Sequence, residues 1–172
     1  SRVRLVDAGG ARTLSLTADP ANQTWRLAPD DAAPIGVGSY TLDLAYSGVV
    51  HRSGEGLYRA EYSVEGRPAR MLATQLEPAF ARTLFPGFDE PSFRAAFDIA
   101  VRVPKEYAVV SNMPVAERVS EGSTELHHFR PTPAMPTYLV AVAVGRFDVL
   151  AAEASGVSLR ILSAEGKRDH AR

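Results

Sequence analysis

Apolar and polar residues alternate along most of this chain. Tyr40, Leu42, Leu44 and Tyr46 share one face of a strictly alternating stretch, with Thr41, Asp43 and Ala45 between them. A two-residue period is the mark of a half-buried strand. Leu14 and Leu16, then Trp25 and Leu27, predict two short strands around the turn Asp19-Pro20-Ala21-Asn22, with Trp25 in the core. Residues 57–64 and 70–73 follow as strands on either side of Glu65-Gly66-Arg67-Pro68, a turn by composition. Residues 93–103 read as one longer strand, with Ala95, Phe97, Ile99, Val101 and Val103 on a single face and Pro104 as its stop. Further strands are expected at 107–111, 125–129, 147–150 and 157–162. The continuous apolar run at 138–144 suits a strand buried on both faces. Residues 79–84 alone look helical, for about one and a half turns.

Many short strands broken by Gly and Pro predict an all-β fold, a sandwich or a set of curved sheets. No internal repeat or low-complexity segment interrupts the pattern. Residues 164–172 are polar, leave the strand pattern and read as a connection to another domain.

Composition narrows the functional classes. The chain of 172 residues is long enough for one domain with its own core, and its net charge is -1. Its basic residues (Arg2 and Arg4, Arg67 and Arg70, Lys167 and Arg168 among them) are scattered, so nucleic acid is not an expected partner. Cysteine is absent, which excludes disulfides and thiolate chemistry and leaves both a cytoplasmic and a periplasmic or secreted location open. No apolar run approaches the ~20 residues of a membrane span, and residues 1–6 carry no apolar core of a signal peptide.

The four histidines are His51, His127, His128 and His170. None stands at His-Glu-x-x-His spacing. His127 and His128 are adjacent in an expected strand, so they point to opposite faces and cannot share an ion. Each reads as a surface or packing residue. No Gly-x-Ser-x-Gly elbow and no phosphate-cradling glycine loop is present.

Residues 74–91 are unusual for a β-domain. Thr74-Gln75-Leu76-Glu77-Pro78 follows a strand directly and leads through Ala81-Arg82 to Phe85-Pro86-Gly87-Phe88-Asp89-Glu90-Pro91. Gln75 and Glu77 are two apart, so in extended backbone they project to one side. An amide beside a carboxylate can receive an ammonium group. The competing reading is a loop whose polar groups bond its own backbone. Asp89-Glu90-Pro91 reads as a structural turn in which Asp89 accepts backbone N–H groups, with Arg82 as a partner for one of its carboxylates.

This segment resembles the signature of the N-terminal domain of the aminopeptidase N family of zinc metallopeptidases. The resemblance extends to Leu42-Asp43-Leu44-Ala45-Tyr46-Ser47-Gly48 and Gly56-Leu57-Tyr58-Arg59-Ala60-Glu61-Tyr62 before it. After it, Val110-Ser111-Asn112-Met113-Pro114, Met135-Pro136-Thr137-Tyr138-Leu139-Val140-Ala141 and Val144-Gly145-Arg146-Phe147 are also similar. It implies a saddle-like β-domain over residues 1–163 that lacks the family's opening strands, and a linker at 164–172 toward a thermolysin-like catalytic domain. Gly-x-Met-Glu-Asn and His-Glu-x-x-His do not occur here, so the family's zinc is expected in that catalytic domain and no cofactor in this chain. The resemblance implies that Glu77 helps bind the free α-amino group of a peptide substrate, that Gln75 lines the first specificity pocket, and that the Glu77–Pro78 bond is cis. Two other readings stay open: a non-catalytic β-sandwich binding module, and a structural domain of a related protein without a metal site.

Overall fold

Alternation becomes sheet nearly throughout the computed structural model, which describes residues 3–7 and 9–171. Contacts divide the chain into two compact units, Ser1–Ser47 and Gly48–Arg172. In the first unit, β1 (Val3–Asp7), β2 (Gly10–Asp19), β3 (Thr24–Pro29) and β4 (Thr41–Leu44) form one antiparallel sheet in the order β3-β2-β1-β4. Val3, Leu5 and Leu14 are buried on it, and Leu16, Leu27 and Leu44 pack against them.

The second unit holds the other strands: β5 (Gly56–Val64), β6 (Arg67–Gln75), β7 (Ala100–Pro104), β8 (Ala108–Ser111), β9 (Val115–Glu121), β10 (Thr124–Phe129), β11 (Val142–Gly145), β12 (Phe147–Ala154) and β13 (Val157–Ala164). They make a four-stranded sheet β5-β6-β11-β8, a three-stranded sheet β7-β10-β9 and the hairpin β12-β13. Among the described residues, the pairings between these strands are all antiparallel. The fold is therefore all-β, and the helical content among the described residues is three short 3-10 turns, at Ala81–Thr83, Thr137–Leu139 and Arg168–Ala171.

Turn chemistry sets the registers. Glu65 and Gly66 both take positive φ (49° and 77°), the two-residue turn whose twist matches flanking strands, and Val64 then faces Arg67. Ser155 and Gly156 do the same for β12–β13, with Ala154 opposite Val157. That hairpin aligns Leu150, Ala152 and Ala154 with Ile161, Leu159 and Val157 on one face, and the latter three are exposed. In the second unit, one core cluster gathers Leu76, Ala81 and Val140, the other Val103, Val109 and Phe129, and Ile99 packs against both.

Several expectations are corrected. Residues 93–103 are not one strand: only Ala100–Pro104 is. Ahead of it the chain is tied to residues 129–135 at separated points. Ala95 and Met135 exchange both backbone bonds, Phe97 N–H donates to Thr132 Oγ1, and Ile99 C=O accepts from Phe129. A threonine side chain taking a ladder position breaks the regular pairing. The run at 138–144 splits into a 3-10 turn and β11, and β11 is half-buried. Of the stretch 40–46, only Thr41–Leu44 is strand, and Tyr40, Leu42 and Tyr46 stay exposed. Trp25 is 45% exposed rather than in the core. It lies at the turn end of β3 opposite the small Ala18, beyond the reach of the leucine cluster. Strand β9 had no counterpart in the sequence reading, because six of its seven residues are exposed and it shows no buried alternation.

Candidate functional site

Gln75 is the last residue of β6, and Leu76 turns the chain inward behind it. Leu76 is 1% exposed and packs with Ala81 and Val140, while Gln75 and Glu77 on either side are exposed. The buried leucine thus fixes where its two polar neighbours emerge. Gln75 Oε1 accepts the backbone N–H of Glu77 at 3.3 Å, so the amide is partly engaged with its own loop. The Glu77 carboxylate has no hydrogen-bond or ion-pair partner among the described residues. The Glu77–Pro78 bond is cis, as the family resemblance implies.

The backbone around this pair is anchored from several directions. Thr74 Oγ1 donates to Val140 C=O (3.5 Å) and accepts from Val142 N–H (2.9 Å), joining the end of β6 to the start of β11. Phe80 N–H donates to Leu76 C=O at 2.9 Å and opens the Ala81–Thr83 turn. The Thr83 hydroxyl caps Phe80 C=O at 2.7 Å. Phe85 stacks obliquely on Phe97, ring centres 6.1 Å apart.

Asp89 closes the segment. It is 6% exposed and receives three donors: Arg82 N–H (3.0 Å) and Arg82 Nε (3.1 Å) on Oδ2, and the Thr137 hydroxyl (2.6 Å) on Oδ1. Arg82 Nη2 also donates to Asp89 C=O at 2.8 Å and lies 3.6 Å from Glu90 Oε1. Burial pushes the Asp89 carboxyl up, but the Thr137 hydroxyl and both groups of Arg82 outweigh it and hold the pKa below its ordinary value. The structural reading of Asp89 and the Arg82 pairing are both found. Thr74 and Thr137 escaped the sequence reading, because a threonine in a strand or turn carries no signal until its partner is known.

The histidines do not gather. His51 sits in an isolated bridge with Tyr58. His127 is buried, its Nε2 3.1 Å from Glu125 Oε2, whereas His128 faces solvent and meets Asp98 at 2.7 Å. The side chain of His170 lies outside the described residues. Among the described residues no three His, Asp or Glu side chains converge to hold a metal ion, so zinc does not fit this set of donors. No helix among them is long and apolar enough to cross a membrane.

The fold and this segment define an all-β domain with an exposed amide–carboxylate pair at the end of a sheet strand. Residues 12–139 match the model of the Peptidase M1 N-terminal domain, and the chain belongs to that family. It is 42% identical over 139 residues to aminopeptidase M1-A of Oryza sativa subsp. japonica, covering 80% of this chain and 16% of that protein. It is 38% identical over 154 residues to aminopeptidase N of Acetobacter pasteurianus, covering 88% of this chain and 43% of that protein. Aminopeptidase M1 of Arabidopsis thaliana is 39% identical over 137 residues, 79% of this chain and 15% of that protein. The chain therefore spans less than half the length of these relatives.

Proposed function

We propose that this chain acts as the N-terminal domain of a zinc-dependent aminopeptidase and that Glu77, with Gln75 beside it, binds the free α-amino group of the peptide substrate. On this reading residues 1–163 are the domain and residues 164–172 lead toward the thermolysin-like catalytic domain. The observation that carries the proposal is the unpartnered, exposed Glu77 carboxylate next to Gln75, on a backbone anchored by Leu76, Thr74 and the Asp89 network. An ionised carboxylate facing an ammonium forms a charge-assisted hydrogen bond. Holding the amino terminus at a fixed point sets the first peptide bond at a fixed distance from the reacting groups, which is how an exopeptidase counts one residue. Zinc in the catalytic domain would polarise the scissile carbonyl, and this chain would bind and orient. By itself the chain is expected to cleave no peptide.

The test is Glu77→Gln in the full-length enzyme. Loss of a hydrogen bond to a charged group costs about 1.5–3 kcal/mol, so kcat/KM on free-amine substrates should fall by about 10- to 150-fold. Because Glu77 is exposed, the melting temperature should stay put. Unchanged kinetics would remove Glu77 from the site.

A further inference from the structure

The β12–β13 hairpin is a sheet of two strands with no third strand beside it, and among the described residues none of its side chains belongs to either core cluster of the second unit. Register sorts its side chains onto two faces. Leu150, Ala152 and Ala154 stand opposite Ile161, Leu159 and Val157 on one of them, so three successive cross-strand pairs are wholly apolar. The next charge along this face, Asp148, already accepts the Gly166 N–H at 2.8 Å. The opposite face carries Glu153, Ser158 and Arg160.

A hairpin with one apolar and one charged face turns the apolar one toward a packed layer. Here that side stays open: Val157, Leu159 and Ile161 are 57%, 46% and 53% exposed. Two strands alone are marginal in water and need further packing to hold, and a contiguous exposed apolar patch marks a surface that something covers.

The path of the chain names the cover. After β13, Glu165 N–H donates to Arg146 C=O at 3.1 Å and Gly166 N–H reaches Asp148, so the polypeptide folds back on the base of the hairpin. The Arg168–Ala171 turn then lies against both strands. Polypeptide following residue 172 thus starts at the hairpin. The matched stretches make up only 15–43% of the three relatives, and the match to the family's N-terminal domain ends at residue 139, before β12.

We infer that the face made by Leu150, Ala152, Ala154, Val157, Leu159 and Ile161 is the seat of the downstream catalytic domain and is buried by polypeptide that follows Arg172. This rests on the proposed reading of the chain as the N-terminal part of a longer enzyme. The face offers its partner no free charge, so the surface that meets it is apolar too.

Thiol labelling of the full-length protein tests this. Residues 1–172 contain no cysteine, so Leu159→Cys and Ile161→Cys each introduce a single thiol here, and Ser158→Cys puts one on the opposite face of the same hairpin. Under native conditions iodoacetamide, read by mass spectrometry of the modified peptide, should label positions 159 and 161 at least about tenfold more slowly than position 158, because a covered thiol reacts only when the structure opens locally. Equal rates at the three positions would overturn the inference. Slow labelling at 159 and 161 that becomes fast on dilution would overturn it too, by assigning the face to a second copy of the protein. Amide hydrogen exchange on the unsubstituted full-length protein needs no variant to fold: residues 147–164 should be strongly protected, and exchange at the rate of an open hairpin would refute the cover. Neither measurement involves Glu77, so failure here and failure of the Glu77→Gln kinetics are separate results.

Discussion

Asp89 Oδ2 accepts two bonds from the same residue, the backbone N–H and the Nε of Arg82, at 3.0 and 3.1 Å. A carboxylate only 6% exposed thereby fixes both the main chain and the side chain of a residue seven positions earlier. Its other oxygen takes the Thr137 hydroxyl, so one buried charge joins the Ala81–Thr83 turn to the Thr137–Leu139 turn. Those turns contribute Ala81 and lead into Val140, the residues that bury Leu76.

Asp89→Asn should therefore cost more than an average substitution. Breaking a buried pair from one side costs about 3–5 kcal/mol. Arg82 keeps 29% of its side chain in solvent, so about 2–4 kcal/mol is expected here. Thr137→Val, which removes one donor and leaves the pair, should cost about 1–2 kcal/mol. Urea unfolding of the three proteins checks both, and equal stabilities would mean that the network is not what holds the segment.

The same group sets a pH dependence. Its folded pKa lies below the ordinary 3.8, so the unfolded chain takes up the proton first as pH falls. Stability from Asp89 is complete above the ordinary carboxylate range and is lost as pH drops through the folded value. Asp31, held low by the Arg12 guanidinium, and Asp19, held low by the Asn22 amide, act in the same direction. Unfolding midpoints between neutral pH and the acid limb should fall for the parent and fall less for Asp89→Asn.

What could be read from the sequence follows from range. The β5–β6 hairpin was legible because Glu65-Gly66-Arg67-Pro68 marks a turn and the alternation on both sides is local, although only Glu65 and Gly66 make the turn and Arg67 and Pro68 already pair in β6. That Gln75 and Glu77 emerge exposed on either side of the buried Leu76 follows from local sequence alone. The break in residues 93–103 was not, since it depends on Thr132 Oγ1 occupying the Phe97 N–H from 35 residues away. Exposure of Trp25 was hidden for a related reason: alternation names a face, but only the register opposite Ala18 shows that nothing large covers it.

Gly56 gives the last prediction, because it stands directly across from Gln75 at the start of β5. It takes φ +66°, and a Cβ there would run into Thr83 Oγ1 and lie 3.1 Å from His51 Cδ2. Thr83 cannot simply give way, since its hydroxyl caps Phe80 C=O in the turn behind Leu76. Gly54 supplies the control: it has φ +80° but open space where its Cβ would go. Gly54→Ala should cost about 1 kcal/mol from backbone strain alone. Gly56→Ala adds overpacking of about 1–3 kcal/mol and should disturb the position of Gln75 and Glu77 as well. Thermal unfolding of the two variants should separate by that margin. If the proposed function holds, KM for free-amine substrates in the full-length protein should rise in Gly56→Ala and stay near the parent value in Gly54→Ala. Matching behaviour of the two would show that the contact with Thr83 carries no energy and that strand β5 adjusts around it.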